Sequence, residues 1–168
     1  AYMSNNIMNA LKKIGLKADS SSLPGRIRND KEKLFDWSNS PNQPYFPSKN
    51  DYQKSSEVNE NFVEIPMNTI STKCSYDKSH LLRYANLAFK NEVVQNGLKE
   101  YIKKNDLLVT VSHPYEFFNI FNNNTELMQN NLHSLEVNIN SILKICKDLD
   151  KKVNFITINN IIKKFINE

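Results

Sequence analysis

The chain of 168 residues has only three glycines. A phosphate-cradling loop of the P-loop or dinucleotide-binding type needs several glycines close together, so those chemistries are excluded. Cysteine is as scarce. Cys74 and Cys146 stand far apart, with no Cys or His beside either at metal-ligand spacing. They read as two lone thiols of a reducing compartment, with a disulfide between them left open. The three histidines, His80, His113 and His133, form no HxxxH pattern, and no CxxC occurs, so these residues do not complete a zinc site. No apolar run reaches the length of a membrane span. Ala1–Gly15 is amphipathic, unlike the uninterrupted apolar core of a signal peptide, which favours the cytoplasm. Long runs of like charge are missing too. The net charge is +4 and the pI about 8.9. Lysines are interspersed with acidic residues, which fits a solvated surface better than a nucleic-acid arm.

What is present suffices for one core: 39% of the residues are hydrophobic, and the length suits a single domain over residues 1–168. Ser4–Ile14 has a helix signature, with Ser4 as cap, Ile7, Met8, Leu11 and Ile14 on one face, and Gly15 as stop. Leu16–Ser20 suits a short strand, and Pro24-Gly25 a turn. Residues 26–60 lack periodicity yet hold Trp37, Tyr45, Phe46 and three prolines, which predicts a long ordered loop rather than a disordered linker. Phe62–Pro66 reads as a strand stopped by its proline. His80–Lys103 reads as a helix broken near Asn96-Gly97. Leu107–Val111 is the clearest strand signal, continuously apolar or β-branched as in a strand covered on both faces. Tyr115–Phe121 and Leu135–Leu149 read as helices, Val153–Thr157 as a strand, and Ile161–Ile166 as a last helix. Strands alternating with helices predict a mostly parallel α/β sheet, open or closed into a barrel.

In such folds the loops at the carboxyl ends of strands carry the chemistry. That places Asp19, Pro66, Asn68, His113 and Thr157 at candidate positions. His113 is the sharpest, because an imidazole can give or take a proton near neutral pH. Pro114 fixes the turn after it, and Glu116 is near enough in sequence to bond a ring nitrogen. A structural histidine at a strand end is an equal reading. Asp19 is either a turn cap or a carboxylate orienting a neighbour. The serines at 20–22 lack the glycines of a hydrolase elbow. Asp36-Trp37 and Tyr45 either line an aromatic wall for a sugar or anchor the long loop.

Taken in order, Leu11–Ser21, Pro24-Gly25, Asp36-Trp37-Ser38, Pro44-Tyr45, Glu64-Ile65-Pro66 and Ser112-His113-Pro114-Tyr115-Glu116 resemble the second half of a polysaccharide deacetylase domain of the nodulation-protein homology type. The closing segment Ile142–Thr157 is similar to that family's end, and the resemblance spans nearly the whole chain. It implies the C-terminal part of a distorted β/α barrel, and a hydrolase that removes acyl groups from amino sugars of a surface polysaccharide. His113 would match the general-acid histidine. Asp19, or Asp36 with Trp37, would match the stretch whose carboxylate orients it. Tyr45, Tyr115 and Glu116 would lie on the substrate side. Ala1-Tyr2 resembles the tail of the family's Arg motif, with Tyr2 also facing substrate. The family's Asp-Asp pair and its two metal-ligand histidines have no counterpart in these residues. The divalent metal, zinc or similar, is expected only in the complete domain, and none is bound by this chain alone. The sequence thus reads as one that starts mid-fold, completed by an N-terminal half or a second chain. A catalytically inactive carbohydrate-binding form, stacking sugars on Trp37, Tyr45 and Tyr115, is the alternative.

Overall fold

Ser4 starts the first helix, α1 (Asn5–Lys13), where its Oγ accepts from the Ile7 amide at 3.3 Å and satisfies one amide that the helix itself cannot. The helix stops at Gly15, whose φ of +84° lies where side chains with a Cβ are disfavoured. The Leu16 amide bonds the Leu11 carbonyl and the Gly15 amide bonds that of Lys12, the double closure of a Schellman ending. The computed structural model describes residues 3–29, 34–88, 91–121 and 124–166, so Tyr2 lies outside the described residues. The chain divides into two compact units, Ala1–Thr69 with Asn154–Glu168, and Ile70–Val153.

In the first unit, β1 (Ala18–Asp19) runs parallel to β4 (Val63–Glu64), with Asp19 opposite Glu64. Tyr45 pairs with the free side of Glu64 through two backbone bonds, Tyr45 N to Glu64 O at 3.0 Å and Glu64 N to Tyr45 O at 2.9 Å. β2 (Ile27–Asn29) and β3 (Leu34–Asp36) form an antiparallel pair. The expected ordered loop therefore begins with a hairpin-like pair, and its later residues are held by packing: Trp37, Tyr45 and Pro47 are buried. Phe62, Val63 and Ile65 are buried with them, and so is Ile161 of the closing helix α4 (Ile158–Ile166). That helix is capped by Thr157, whose Oγ1 accepts from the Asn160 amide at 3.3 Å.

In the second unit, β5 (Thr69–Thr72, whose first residue belongs to the other unit) pairs with β6 (Leu81–Tyr84). Helix α2 (Asn91–Lys104) packs on α3 (Gln129–Asp148). Their core joins Ile70, Leu87, Leu98, Tyr101, Ile102 and Cys146. The α3 end is tied to the α2 end by Lys151, whose Nζ donates to the Ile102 carbonyl at 2.7 Å. β7 (Phe118–Phe121) and β8 (Asn124–Leu127) form a further antiparallel pair.

Several expectations need correction. Leu107–Val111 is not a strand. Its residues are half-buried or exposed rather than covered on both faces, and Leu108 packs as an apolar side chain against the α2/α3 core. Residues 80–103 do not form one broken helix. Leu81–Tyr84 is a strand, and α2 runs through Gly97 without interruption. The glycine serves close packing, since a Cβ there would run into the Ser71 carbonyl oxygen. Tyr115–Phe121 is one 3-10 turn (Pro114–Glu116) followed by β7, and Val153–Thr157 is not a strand. The chain is mixed α/β, with strands that pair two by two and no closed barrel among the described residues. Nor are the pairings mostly parallel: β1–β4 is parallel, while β2–β3 and β7–β8 are antiparallel.

Candidate functional site

His113 does not end a buried strand. It is half-buried, extended (φ −109°, ψ 142°), and starts the 3-10 turn Pro114–Glu116. The fixed φ of Pro114 suits the first position of that turn. Glu116 reaches His113, but through the backbone: its Oε2 accepts from the His113 amide at 2.7 Å, and the Glu116 amide donates to the His113 carbonyl at 2.9 Å. The expected bond to the ring is thus replaced by a clamp on the main chain. The imidazole lies flat on Tyr115, with centroids 5.1 Å apart and 6° between planes. Tyr115 is 72% exposed.

Behind the turn sits Asn86, which sequence reasoning passed over. It is wholly buried, donates from Nδ2 to Glu116 Oε1 at 2.6 Å, and accepts at Oδ1 from the Ala88 amide at 2.8 Å and the Ser112 hydroxyl at 3.4 Å. Asn131 Nδ2 donates to the Glu116 carbonyl. Buried amides of this kind persist where every polar atom has a partner. The result is a rigid loop that presents an imidazole and a phenol ring together. The only sequence signal for it was an Asn flanked by Ala85 and Leu87, in a chain too rich in Asn for one to stand out.

In the other unit, Asp19 ends β1 as expected. Its neighbour across the parallel pair is Glu64, which is 2% exposed. Glu64 Oε1 accepts from the amides of Ser21 (3.0 Å) and Ser22 (2.8 Å), so one carboxyl oxygen organises the turn that follows Asp19. Burial pushes the Glu64 carboxyl up to about 8. The Asp19 carboxylate beside it and a hydrogen bond with that side chain push the same way, while the two serine amides oppose them. Asp19 Oδ2 is buried with no partner among the described donors. Ser22 and Ser40 bond each other through their hydroxyls at 2.8 Å. Burial and the Glu64 charge also raise the Tyr45 phenol.

Of the two readings of Asp36-Trp37 and Tyr45, burial favours anchoring of the long loop. Trp37 is 1% exposed and meets Tyr52 edge-on at 4.9 Å. Tyr45 is 5% exposed and donates its hydroxyl to the Tyr52 carbonyl at 2.9 Å. Neither presents a face to a sugar, and both anchor the long loop. Asp36 is exposed, and its carboxylate accepts from the Ser38 amide and hydroxyl at 2.9 and 2.7 Å, which holds it below the usual carboxylate range. His80 and His133 are exposed. Asp19 and His113 belong to different units.

Among the described residues no three His, Cys, Asp or Glu side chains come together in a way that could hold a metal ion, so those residues do not by themselves fit a divalent-metal site. No described helix is long and apolar enough to cross a membrane. Comparison with protein families, curated proteins and solved structures finds no match to this chain.

Proposed function

We propose that this chain is a portion of a polysaccharide deacetylase-like hydrolase that removes acyl groups from amino sugars of a surface polysaccharide, these residues being the C-terminal part of its distorted β/α barrel. The observation that carries the reading is the His113–Tyr115 pair: a half-buried imidazole stacked on an exposed phenol ring, in a turn held by Glu116 and Asn86. A sugar ring stacks on an aromatic face, and a preorganised imidazole beside it can protonate a leaving group. As the amide C–N bond breaks, His113 would give its proton to the departing amine nitrogen. The divalent metal that the resemblance calls for would be held by residues other than those described.

An inactive carbohydrate-binding form is the second reading. It keeps one of its three stacking faces, Tyr115, since Trp37 and Tyr45 are buried. Release of amine from N-acylated amino-sugar oligomers by the completed domain tests the first reading. Such release should fall when His113 becomes alanine, and activity that survives intact would remove His113 from the chemistry.

A further inference from the structure

We infer that Asp19 and Glu64 hold one proton between them, and that this shared proton is a pH-sensitive latch joining β1, β4 and the Ser20–Ser22 turn. The inference stands apart from the deacetylase reading and concerns the first unit alone.

Three observations lead to it. The parallel register sets Asp19 opposite Glu64, the first half-buried and the second buried, and their side chains interact. Glu64 Oε1 accepts two backbone amides, which favour the ionised form but occupy that oxygen alone and leave Oε2 as the position for a proton. Asp19 Oδ2 is buried and lacks a donor. If both groups were ionised, like charges would face each other out of water, which is costly. A proton on Glu64 Oε2 removes one charge and supplies the donor that Asp19 Oδ2 lacks.

Among the described residues, no ion pair brings a cation to Asp19 or Glu64 to take the proton's place. Tyr45, paired with Glu64 across the backbone, is a neutral phenol. Asp51 and Tyr52, which also act on Tyr45, add no positive charge. Helix α4 packs on β4, yet its Lys163 and Lys164 are exposed. Lys12 of α1 is engaged by Glu60 at 2.5 Å and lies over the Phe62 ring.

The direction of the pH effect follows from the raised Glu64 value. Folded Glu64 titrates at about 8, against an ordinary 4.5. Between those values the folded chain binds more protons than the unfolded one, so stability falls as pH rises. The contribution is complete below the ordinary value and is lost as pH climbs to about 8. Loss of the proton would set two carboxylates against each other across β1 and β4.

Urea unfolding of the full chain and of Glu64→Gln, from pH 5 to pH 9, is the test. The amide of glutamine imitates the protonated acid, with an oxygen for the serine amides and an N–H for Asp19. The unfolding constant of the unchanged protein, divided by that of Glu64→Gln, should rise by up to about tenfold per pH unit below pH 8. A ratio that stays flat overturns the proposal. Should Glu64→Gln not fold, carboxyl-carbon NMR of the unchanged protein decides instead. One glutamate should still be protonated at pH 7, and Asp19→Asn should move its titration to lower pH. Titration of every glutamate in the ordinary acid range would equally overturn it.

Discussion

Separating Asn86 from Glu116 attacks the loop that presents His113, and its cost can be worked out from the bonds involved. Asn86 donates to the Glu116 carboxylate at 2.6 Å, and a hydrogen bond to a charged group contributes about 1.5–3 kcal/mol net. Its Oδ1 also serves the buried Ala88 amide at 2.8 Å, which an alanine at 86 would leave without an acceptor, at about 1–3 kcal/mol more. Asn86→Ala should therefore destabilise the protein by about 2.5–6 kcal/mol. Glu116→Ala removes the same bond and the acceptor of the half-buried His113 amide, and should cost about 2–3 kcal/mol. Because the two changes delete one shared bond, the double variant should be less unstable than their sum by about 1.5 kcal/mol or more. Equilibrium urea unfolding of the four proteins measures that coupling. Single-variant costs that add to within about 0.5 kcal/mol would refute the clamp.

Gly97→Ala should destabilise the second unit by about 1–3 kcal/mol or more, because the new methyl meets the Ser71 carbonyl rather than a pliable side chain; thermal unfolding of the variant checks it. The Arg83 guanidinium beside Asp77, at 2.8 Å, and the Cys74 amide hold the Asp77 carboxyl down at about 2. A depressed carboxylate contributes stability above its ordinary 3.8 and loses it as pH falls toward 2. Asp77→Asn should therefore flatten the acid limb of stability across that window, measured by unfolding at each pH.

The parts legible in the sequence were those with local causes. Ser4 and Gly15 bracket α1 because a cap and a left-handed residue act within one turn. The long face of α3 is visible through its periodicity, and the end of β4 through the proline that follows it. Leu107–Val111 misled because an apolar β-branched run looks alike whether it is paired in a sheet or laid over helices, as Leu108 is here. Leu81–Tyr84 misled for a related reason: four residues are too few to separate periods of 3.6 and 2. Of the candidate site, the His113 turn was visible through Pro114, while its support was not. Asn86 and Glu64 act through partners 30 and 43 residues away, and no local pattern announces such pairs. The burial of Trp37 and Tyr45 is likewise a tertiary outcome. One hint for Glu64 existed: a lone carboxylate among Phe62, Val63 and Ile65, all of which are buried.

The role given to His113 is tested most directly by amine release from N-acylated amino-sugar oligomers, followed in the completed domain with and without the His113→Ala change. A proton donor to the leaving nitrogen predicts that the substitution lowers kcat by about 10²–10⁴-fold while the fold is kept. A kcat unchanged by loss of the imidazole would contradict it.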